Sequence, residues 1–167
     1  MNGWSFCMIT DGCEPEKTEQ AIAYICALEA SDSELIVVGT PLDRWRHYSS
    51  VRMAVRLIER ADLAEAGRLG AMRNLACDHA SYDKLVVIDD DIWFRQDWHQ
   101  QMTAFGDDWD VLSCKILNPD NTRFWDWKTY RNGVNQLLDY DKTSPDISIT
   151  GGYICMKRYV FNQVRWD

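Results

Sequence analysis

The stretch that decides the fold is Leu85-Val86-Val87-Ile88, an apolar and mostly β-branched run that is followed at once by Asp89-Asp90-Asp91. A continuous apolar run of this length is typical of a strand that is buried on both faces of a parallel sheet. Ligands of such sheets lie beyond the carboxyl ends of the strands, which is where the three aspartates fall. The sequence therefore predicts a central strand that ends in a carboxylate-rich site.

Further strands and helices alternate around this central strand. Apolar runs predict strands at 4–10, 35–38, 110–117 and 147–156, the last interrupted by Gly151-Gly152, and helical periodicity predicts helices at 16–30, 67–79, 97–105 and from 159 onward. Asp97 is the expected cap of the third helix. Residues 43–50 are predicted as a loop, 51–58 as a helix or a strand, and 118–146 as irregular structure or a short hairpin. This order predicts an α/β sandwich around a mostly parallel sheet, with residues 1–167 as one domain.

Composition and charge exclude several classes of protein. The formal net charge of −8 argues against broad nucleic-acid binding, because a phosphate backbone needs a basic surface. An anionic substrate would need a metal ion or a few arginines. The six cysteines form no zinc motif and are expected to be reduced core residues. Without a signal peptide or a long apolar segment, the chain is expected to have no membrane span and to be cytoplasmic.

The aspartate triplet is the main candidate for chemistry. At a separation of about 5 Å and an effective dielectric near 20, each pair of like charges costs on the order of 3 kcal/mol. A hard divalent cation such as Mg²⁺ or Mn²⁺ removes this repulsion and keeps open positions for phosphate oxygens. Asp89, Asp90 and Asp91 are therefore candidate metal ligands. The alternative is that the triplet only caps the segment after the strand and is solvated.

Two other groups of polar residues lie near predicted strand ends. Thr10-Asp11-Gly12 follows the first strand and offers a hydroxyl, a carboxylate and a flexible turn to a nucleoside, although it also fits a plain Asp-Gly turn. Arg68, Arg73 and Asn74 belong to the helix before the aspartates. Arg73 can neutralise phosphate and Asn74 can bond a base or a ribose, unless they only form an exposed helix face.

These segments, in this order, resemble the family 2 glycosyltransferases of the GT-A fold. The resemblance rests on WSFCMITDG at 4–12, SELIVVG at 33–39, GRLGAMRNLACDHASYDKLVVIDDDIWF at 67–94 and ITGGYICMKRYVF at 149–161. The segment FGDDWDVLSCKILNPDNTRFWDW at 105–127 is similar to a bacterial subgroup of the family. The resemblance implies a Rossmann-like three-layer sandwich, a UDP- or GDP-sugar donor, Mn²⁺ or Mg²⁺, and inverting transfer to a hydroxyl of a glycan or small-molecule acceptor.

The resemblance also implies roles for particular residues. Donor binding falls to Thr10, Asp11, Gly12, Arg68, Arg73, Asn74, Asp89 and Asp90, and the metal to Asp89, Asp90 or Asp91. Asp91 fits a D-x-D motif and Asp90 fits the subgroup better. The acceptor is expected at Trp125, Asp126 and Trp127, whose aromatic faces can stack on a sugar, and at Gly151 and Gly152. The aromatic cluster is equally compatible with a core or lid role.

The chain departs from the family pattern in two places. The run Val38-Gly39-Thr40-Pro41 lacks the aspartate that usually follows the second strand, and no Glu-Asp motif for the general base follows Gly152. We therefore expect a domain truncated at its C-terminus, with the catalytic base unassigned. Three alternatives remain open: a catalytically incomplete nucleotide-sugar-binding module, a metal-dependent phosphohydrolase with Asp11 after its first strand, and a protein-interaction domain.

Overall fold

The structure, a computed structural model, describes residues 3–28, 30 and 32–167. The strands are β1 (Trp4–Thr10), β2 (Ser33–Gly39), β3 (Met53–Glu59), β4 (Lys84–Asp89), β5 (Val111–Leu112), β6 (Trp127–Arg131), β7 (Val134–Leu137), β8 (Ile147–Ile149) and β9 (Tyr153–Lys157). The helices are α1 (Pro15–Cys26), α2 (Ala61–Glu65), α3 (Leu69–Asp78), α4 (Trp98–Phe105) and α5 (Arg158–Gln163), with a 3-10 helix at Asp43–Tyr48.

The main sheet has six strands in the order β3-β2-β1-β4-β9-β5. Strands β3, β2, β1 and β4 pair in parallel, whereas β9 is antiparallel to both β4 and β5. The predicted α/β fold with a mostly parallel sheet is confirmed. Because β1 and β4 are neighbours, with Ile9 opposite Asp89, the ends of these two strands meet at one edge.

Helical layers cover both faces of this sheet. On one face, Ile22 and Ile25 of α1, Trp45 of the 3-10 helix and Met102 of α4 enclose a core. On the other face, Met72 of α3, Phe161 of α5 and partly buried residues of α2 enclose a second core. Every residue of β1 and β2 is buried, as expected for strands covered on both sides. The predicted three-layer sandwich is therefore confirmed.

Alternation along the strands decides which side chain enters which core. Val86 and Ile88 of β4 lie in the α1 core, while Leu85 and Val87 lie in the α3 core. Successive residues of a strand point to opposite faces, so this parity continues to the strand end. It directs Asp89 toward the α3 layer and the next residue, Asp90, toward the α1 layer.

A second, smaller sheet has the order β7-β6-β8 and is antiparallel throughout. Its β6–β7 hairpin turns at Asn132 and Gly133, which have φ values of 50° and 79°. Two consecutive positive φ angles are typical of the tight turns that join paired strands, and Asn-Gly favours them. The hairpin confirms one of the two alternatives predicted for 118–146.

Several predicted elements are shorter or divided. Helix α1 ends at Cys26, with Ala27 at its C-cap, instead of at residue 30. The strand predicted at 110–117 is reduced to the two residues of β5. The strand predicted at 147–156 is two strands in different sheets, because residues 151 and 152 form a turn between them.

Three other local predictions are corrected or resolved. Of the stretch 51–58, the part from Met53 onward belongs to the edge strand β3, and no part of it is a helix. The predicted loop at 43–50 contains a 3-10 helix, whose Trp45 is buried in the α1 core. Asp97 occupies the cap position of α4, but its carboxylate makes no capping bond and instead accepts hydrogen bonds from Arg95.

The cysteines partly match the expectation of core residues. Cys7, Cys77 and Cys155 are buried, and Cys26 and Cys114 are half-buried. Cys13 is exposed, so the expectation is wrong for this residue. Among the helices in the described ranges, none has the length and apolar character needed to span a bilayer.

Candidate functional site

The aspartate triplet lies at the edge of the sheet where β1 and β4 end. The three carboxylates have different surroundings, because the pleat of β4 sends Asp89 and Asp90 to opposite faces of the sheet. Asp89 and Asp90 are half-buried, whereas Asp91 is exposed. Like charges that are adjacent in sequence are thus separated, and each of the first two obtains its own partners.

Asp90 is held by hydroxyl groups from β1 and α1. Its Oδ2 accepts hydrogen bonds from Thr10 Oγ1 at 2.5 Å and from Thr18 Oγ1 at 2.9 Å. Thr10 Oγ1 in turn accepts the backbone N–H of Gly12 at 3.1 Å. Hydroxyl donors to a carboxylate are charge-assisted hydrogen bonds, which are stronger than neutral ones. Asp90 therefore joins the ends of β1 and β4 to the first turns of α1.

Asp89 faces the α3 layer and forms an ion pair. Arg73 Nη2 donates to Asp89 Oδ1 at 2.8 Å, and the arginine side chain is only 12% exposed. Its Nε is buried without a hydrogen-bond partner among the described residues. A partly buried guanidinium with unused donors is the arrangement that recognises phosphate or carboxylate groups.

The paired glycines lie against this ion pair. A β-carbon on Gly151 would be 3.4 Å from Arg73 Nη1, and one on Gly152 would be 3.3 Å from Asp89 Oδ2. The backbone of Gly152 also accepts the N–H of Asp89 at 3.0 Å. Side chains at these two positions would crowd the guanidinium and the carboxylate, so the glycines keep this part of the edge open.

The carboxylates at this edge fit a partial site for a divalent cation. Among the residues that the structure describes, no three His, Cys, Asp or Glu side chains converge on one point to hold a metal by themselves. Mg²⁺ usually takes one or two protein carboxylates and completes its shell with water and phosphate oxygens. Asp91 is exposed and Asp89 has one oxygen outside its ion pair, so their hard oxygen donors suit that kind of coordination.

The end of β2 forms the neighbouring part of the edge. Gly39 has a φ of 128°, and a β-carbon there would lie 1.9 Å from the carbonyl oxygen of Thr10. Thr40 N donates to the same oxygen at 3.1 Å. Thr40 also lies close to Gly12, since a β-carbon on that glycine would be 3.1 Å from Thr40 Cβ. The predicted turn Thr10-Asp11-Gly12 is thus packed against the end of β2.

Asp11 lies in that turn, and its carboxylate has a local partner. Its Oδ1 accepts the backbone N–H of Cys13 at 2.9 Å, which is a turn-forming contact. The residue is exposed. The structure therefore places Asp11 beside the edge, where it stabilises the turn that Thr10 begins.

The neighbouring residues Arg73 and Asn74 diverge on α3. Asn74 Nδ2 donates to the carbonyl of Trp166 at 2.7 Å, and Trp166 N donates back to Asn74 Oδ1 at 3.1 Å. Consecutive helix residues point about 100° apart, so only Arg73 reaches Asp89. The amide of Asn74 fixes the segment after α5 instead. Arg68 precedes α3 and is exposed, and its side chain bonds to none of the described residues.

Asp126 holds the aromatic loop together. Its side chain is 1% exposed; Oδ1 accepts from Arg123 Nε and Trp127 N, and Oδ2 accepts from Ile116 N and Tyr140 OH. Burial tends to raise the pKa of Asp126, but the hydrogen bonds from Tyr140, Ile116 and Arg123 outweigh it and lower this pKa. Because each oxygen of Asp126 accepts two hydrogen bonds, this carboxylate has a structural role.

The tryptophans on either side of Asp126 are less buried than Asp126 itself. Trp125 is exposed, and Trp127 is half-buried with Nε1 donating to the carbonyl of Lys142 at 3.0 Å. Trp127 of β6 is paired with Ile149 of β8, and Ile149 comes two residues before Gly151. Paired Cα atoms are about 5 Å apart and two residues span at most about 7 Å, so Trp127 lies within about 12 Å of Gly151.

Thr18 is the site residue that sequence patterns missed. It lies in the first turns of α1 and is fully buried, although its neighbours Lys17 and Gln20 are exposed. A buried threonine beside the apolar positions Ala21 and Ile22 looks like part of the core. The parity of β1 and β4, which directs Thr10 and Asp90 toward α1, is the signal that would have identified it.

Comparisons with known proteins support the fold. No family model and no curated protein matches the chain. TarS from S. aureus superposes with a TM-score of 0.64 at 16% identity, over 96% of this chain and 48% of that one. The mannosyltransferase PcManGT from Pyrobaculum calidifontis, in complex with GDP-Man and Mn²⁺, gives a TM-score of 0.63 at 18% identity, over 96% and 46%.

A third solved structure shows the same fold. The glycosyltransferase GlyE from Streptococcus pneumoniae superposes with a TM-score of 0.55 at 9% identity, over 98% of this chain and 36% of that one. The chain spans about half or less of the length of these three proteins. Identities this low establish the fold alone, and the fold is GT-A-like, as the sequence predicted.

Proposed function

We propose that this domain binds a nucleotide-sugar donor through a divalent cation and belongs to an enzyme that transfers the sugar to an acceptor hydroxyl. The observation that carries the proposal is the divided aspartate triplet. Asp89 is paired with Arg73, Asp90 is fixed by two threonines, and Asp91 is exposed at the carboxyl edge of a GT-A-like sheet. In open α/β sheets this edge is where ligands bind.

Each group has a distinct part in the proposed site. Asp91, with Asp89 beside it, would hold Mn²⁺ or Mg²⁺, which neutralises the diphosphate and the charge that grows on it as the glycosidic bond breaks. Arg73 would donate from Nη1, which lies beside Gly151, to a phosphate oxygen. Asp90 would join the ends of β1 and β4 to α1 through Thr10 and Thr18, and would not bind the metal. Thr10, Asp11 and Gly12 line the position for the nucleoside, and Arg68 adds positive charge nearby.

Sugar transfer is a second step of the proposal and needs more than the donor site. Inversion at the anomeric carbon requires a base that removes the proton of the acceptor hydroxyl. The acceptor would approach past Gly151 and Gly152, with Trp125 and Trp127 of the small sheet beside it. A binding module without turnover uses the same donor site, so donor binding and turnover are measured separately.

The test is calorimetric titration of GDP-mannose, UDP-glucose and UDP-N-acetylglucosamine into the protein with MnCl₂ and with EDTA. We expect one donor to bind only with Mn²⁺, and Asp91→Asn to weaken that binding by more than about tenfold, as loss of a group that supports a metal commonly does. Asp108→Asn is the matched control, because Asp108 is also exposed but follows Asp107, which pairs with Lys84 at the start of β4.

Several outcomes would contradict the proposal. Absence of binding by the wild type with Mn²⁺, or equal binding in EDTA, would exclude the metal-bridged donor. Equal losses for Asp91→Asn and Asp108→Asn would show that the triplet is not the site. Sugar release or transfer in the same samples would support an enzyme, whereas binding without turnover would support a binding module.

A further inference from the structure

An aromatic pair lies on the surface between α1 and the segment that follows the aspartates. The rings of Tyr24 and Trp93 are stacked, with centroids 6.1 Å apart and an angle of 29° between their planes. Tyr24 is 38% exposed and Trp93 is 48% exposed. Single exposed apolar residues are common on protein surfaces, but two exposed aromatic rings in contact form a larger apolar patch.

Both rings are held by well-anchored backbone. Trp93 stands between Ile92, which packs against the α1 core, and Phe94, which is buried. Phe94 contacts the rings of Phe6 and Trp98 at 5.6 and 5.2 Å. Anchored tryptophan and tyrosine supply large contact area at a low cost in conformational entropy, which suits them to ligand binding.

On the α1 side, the aromatic pair is bordered by polar groups. Lys17, Gln20 and Tyr24 are exposed and follow the three- and four-residue spacing of one helix face. The ammonium of Lys17 is paired with Glu14 at 2.7 Å and has one further proton to donate, and the amide of Gln20 can both donate and accept hydrogen bonds. An exposed aromatic face beside polar groups matches a pyranose ring, which has an apolar C–H face and hydroxyls around its rim. Ligand sites commonly combine aromatic surface with a few polar groups in this way.

The position of the pair relative to Asp91 decides which sugar unit of a bound ligand could reach it. Exposure alternates from Asp91 to Phe94, with Asp91 and Trp93 both exposed. Asp91 lies in the turn after β4, and two residues span at most about 7 Å of chain, so the backbone of Trp93 is close to Asp91. Tyr24 comes six residues, or about 9 Å, after Thr18 along α1, and Thr18 bonds to Asp90. The pair is therefore near the proposed metal, but displaced from it along α1.

We propose that Tyr24 and Trp93 form a subsite for one sugar ring of an oligosaccharide acceptor. This rests on the proposed function, which places the transferred sugar at the aspartates. A ring at the pair lies to the side of that point, so the subsite selects an acceptor of several sugar units over a single sugar. It is distinct from the aromatic loop around Trp125.

The subsite is tested with oligosaccharides of known structure and saturation-transfer difference NMR. The probes are maltotriose, cellotriose and chitotriose, each compared with its monosaccharide, in the presence of Mn²⁺ and UDP. We expect one trisaccharide to receive saturation on its ring protons, and Trp93→Leu and Tyr24→Leu each to raise its Kd by roughly tenfold or more. Phe105→Leu, an exposed aromatic at the end of α4, is the matched control.

Other measurements separate this proposal from its rivals. Calorimetric donor binding in the Trp93 and Tyr24 variants should equal that of the wild type, so failure of the donor proposal and failure of the subsite are distinguishable. Loss of the trisaccharide signal in Trp125→Leu but not in Trp93→Leu would overturn the subsite. So would the absence of any trisaccharide signal in the wild type. A change from dimer to monomer in Trp93→Leu, with unchanged sugar signals, would assign the pair to self-association and also overturn the subsite.

Discussion

Asp90 differs from the aspartates on either side of it because both of its side-chain donors are threonine hydroxyls. Thr18 Oγ1 lies 2.9 Å from Asp90 Oδ2 and 3.1 Å from the backbone carbonyl oxygen of Glu14, so its single proton is shared between the sheet edge and the helix start. A half-buried carboxylate that loses a donor must find water in its place. The stability of this edge should therefore depend on Thr18.

Replacement of Thr18 by valine keeps the shape of the side chain and removes the hydroxyl. We expect Thr18→Val to lower the free energy of unfolding by about 1–3 kcal/mol, because the bond to Asp90 is charge-assisted. The measurement is urea denaturation at neutral pH. Thr103→Val is the control, since Thr103 is exposed and its hydroxyl bonds only to the carbonyl of His99 within α4. Equal losses for the two variants would refute the role assigned to Thr18.

At the scale of elements, the edge of the site depends on how closely β1 and β2 approach where they end. Gly39 closes β2 with a φ of 128° beside the carbonyl of Thr10. Gly133, in the β6–β7 turn, also has a positive φ, of 79°, but a β-carbon there would meet no atom within 4 Å. The two glycines therefore separate the effect of close packing from the effect of the backbone angle.

Alanine at each of these glycines should have different consequences. Gly133→Ala introduces backbone strain alone, and we expect a loss of about 1 kcal/mol. Gly39→Ala adds a clash with Thr10 and with the Met72 side chain, and we expect a loss of at least about 3 kcal/mol. Thermal and urea unfolding of both variants gives the comparison. A similar loss in both would mean that the ends of β1 and β2 separate easily.

Predictability from sequence differs between kinds of element. Strands β1 and β4 are predictable because their apolar runs reflect burial on both faces. The small sheet is harder to predict, since β7 is largely exposed and its pairing depends on contacts with distant segments. The role of Asp126 is also hidden in the sequence, because its four donors come from three separate stretches of chain. Sequence patterns record local periodicity and burial, but not such long-range pairing.

At the scale of the whole molecule, the two sheets should differ in stability. Strands β1 and β2 are fully buried, whereas the small sheet has few buried residues. Local opening is least frequent where buried apolar contacts are densest. We expect amides of β1, β2 and β4 to exchange at least about a hundredfold more slowly than those of β6 and β7. Hydrogen exchange followed by NMR measures this, and equal protection of both sheets would contradict it.

The alternation of side chains along β4 between the two cores affects which substitutions the sheet edge can accept. Asp89 is paired with Arg73 of the α3 layer, whereas Asp90 accepts hydrogen bonds from hydroxyl groups of β1 and the α1 layer. These two layers enclose separate cores. A substitution around Arg73 can alter the charge presented to a ligand without repacking the α1 side. The α1 half of the edge is thus fixed by buried hydroxyl groups, while the charge of the α3 half can be altered separately, so the two halves of the proposed site can be changed independently.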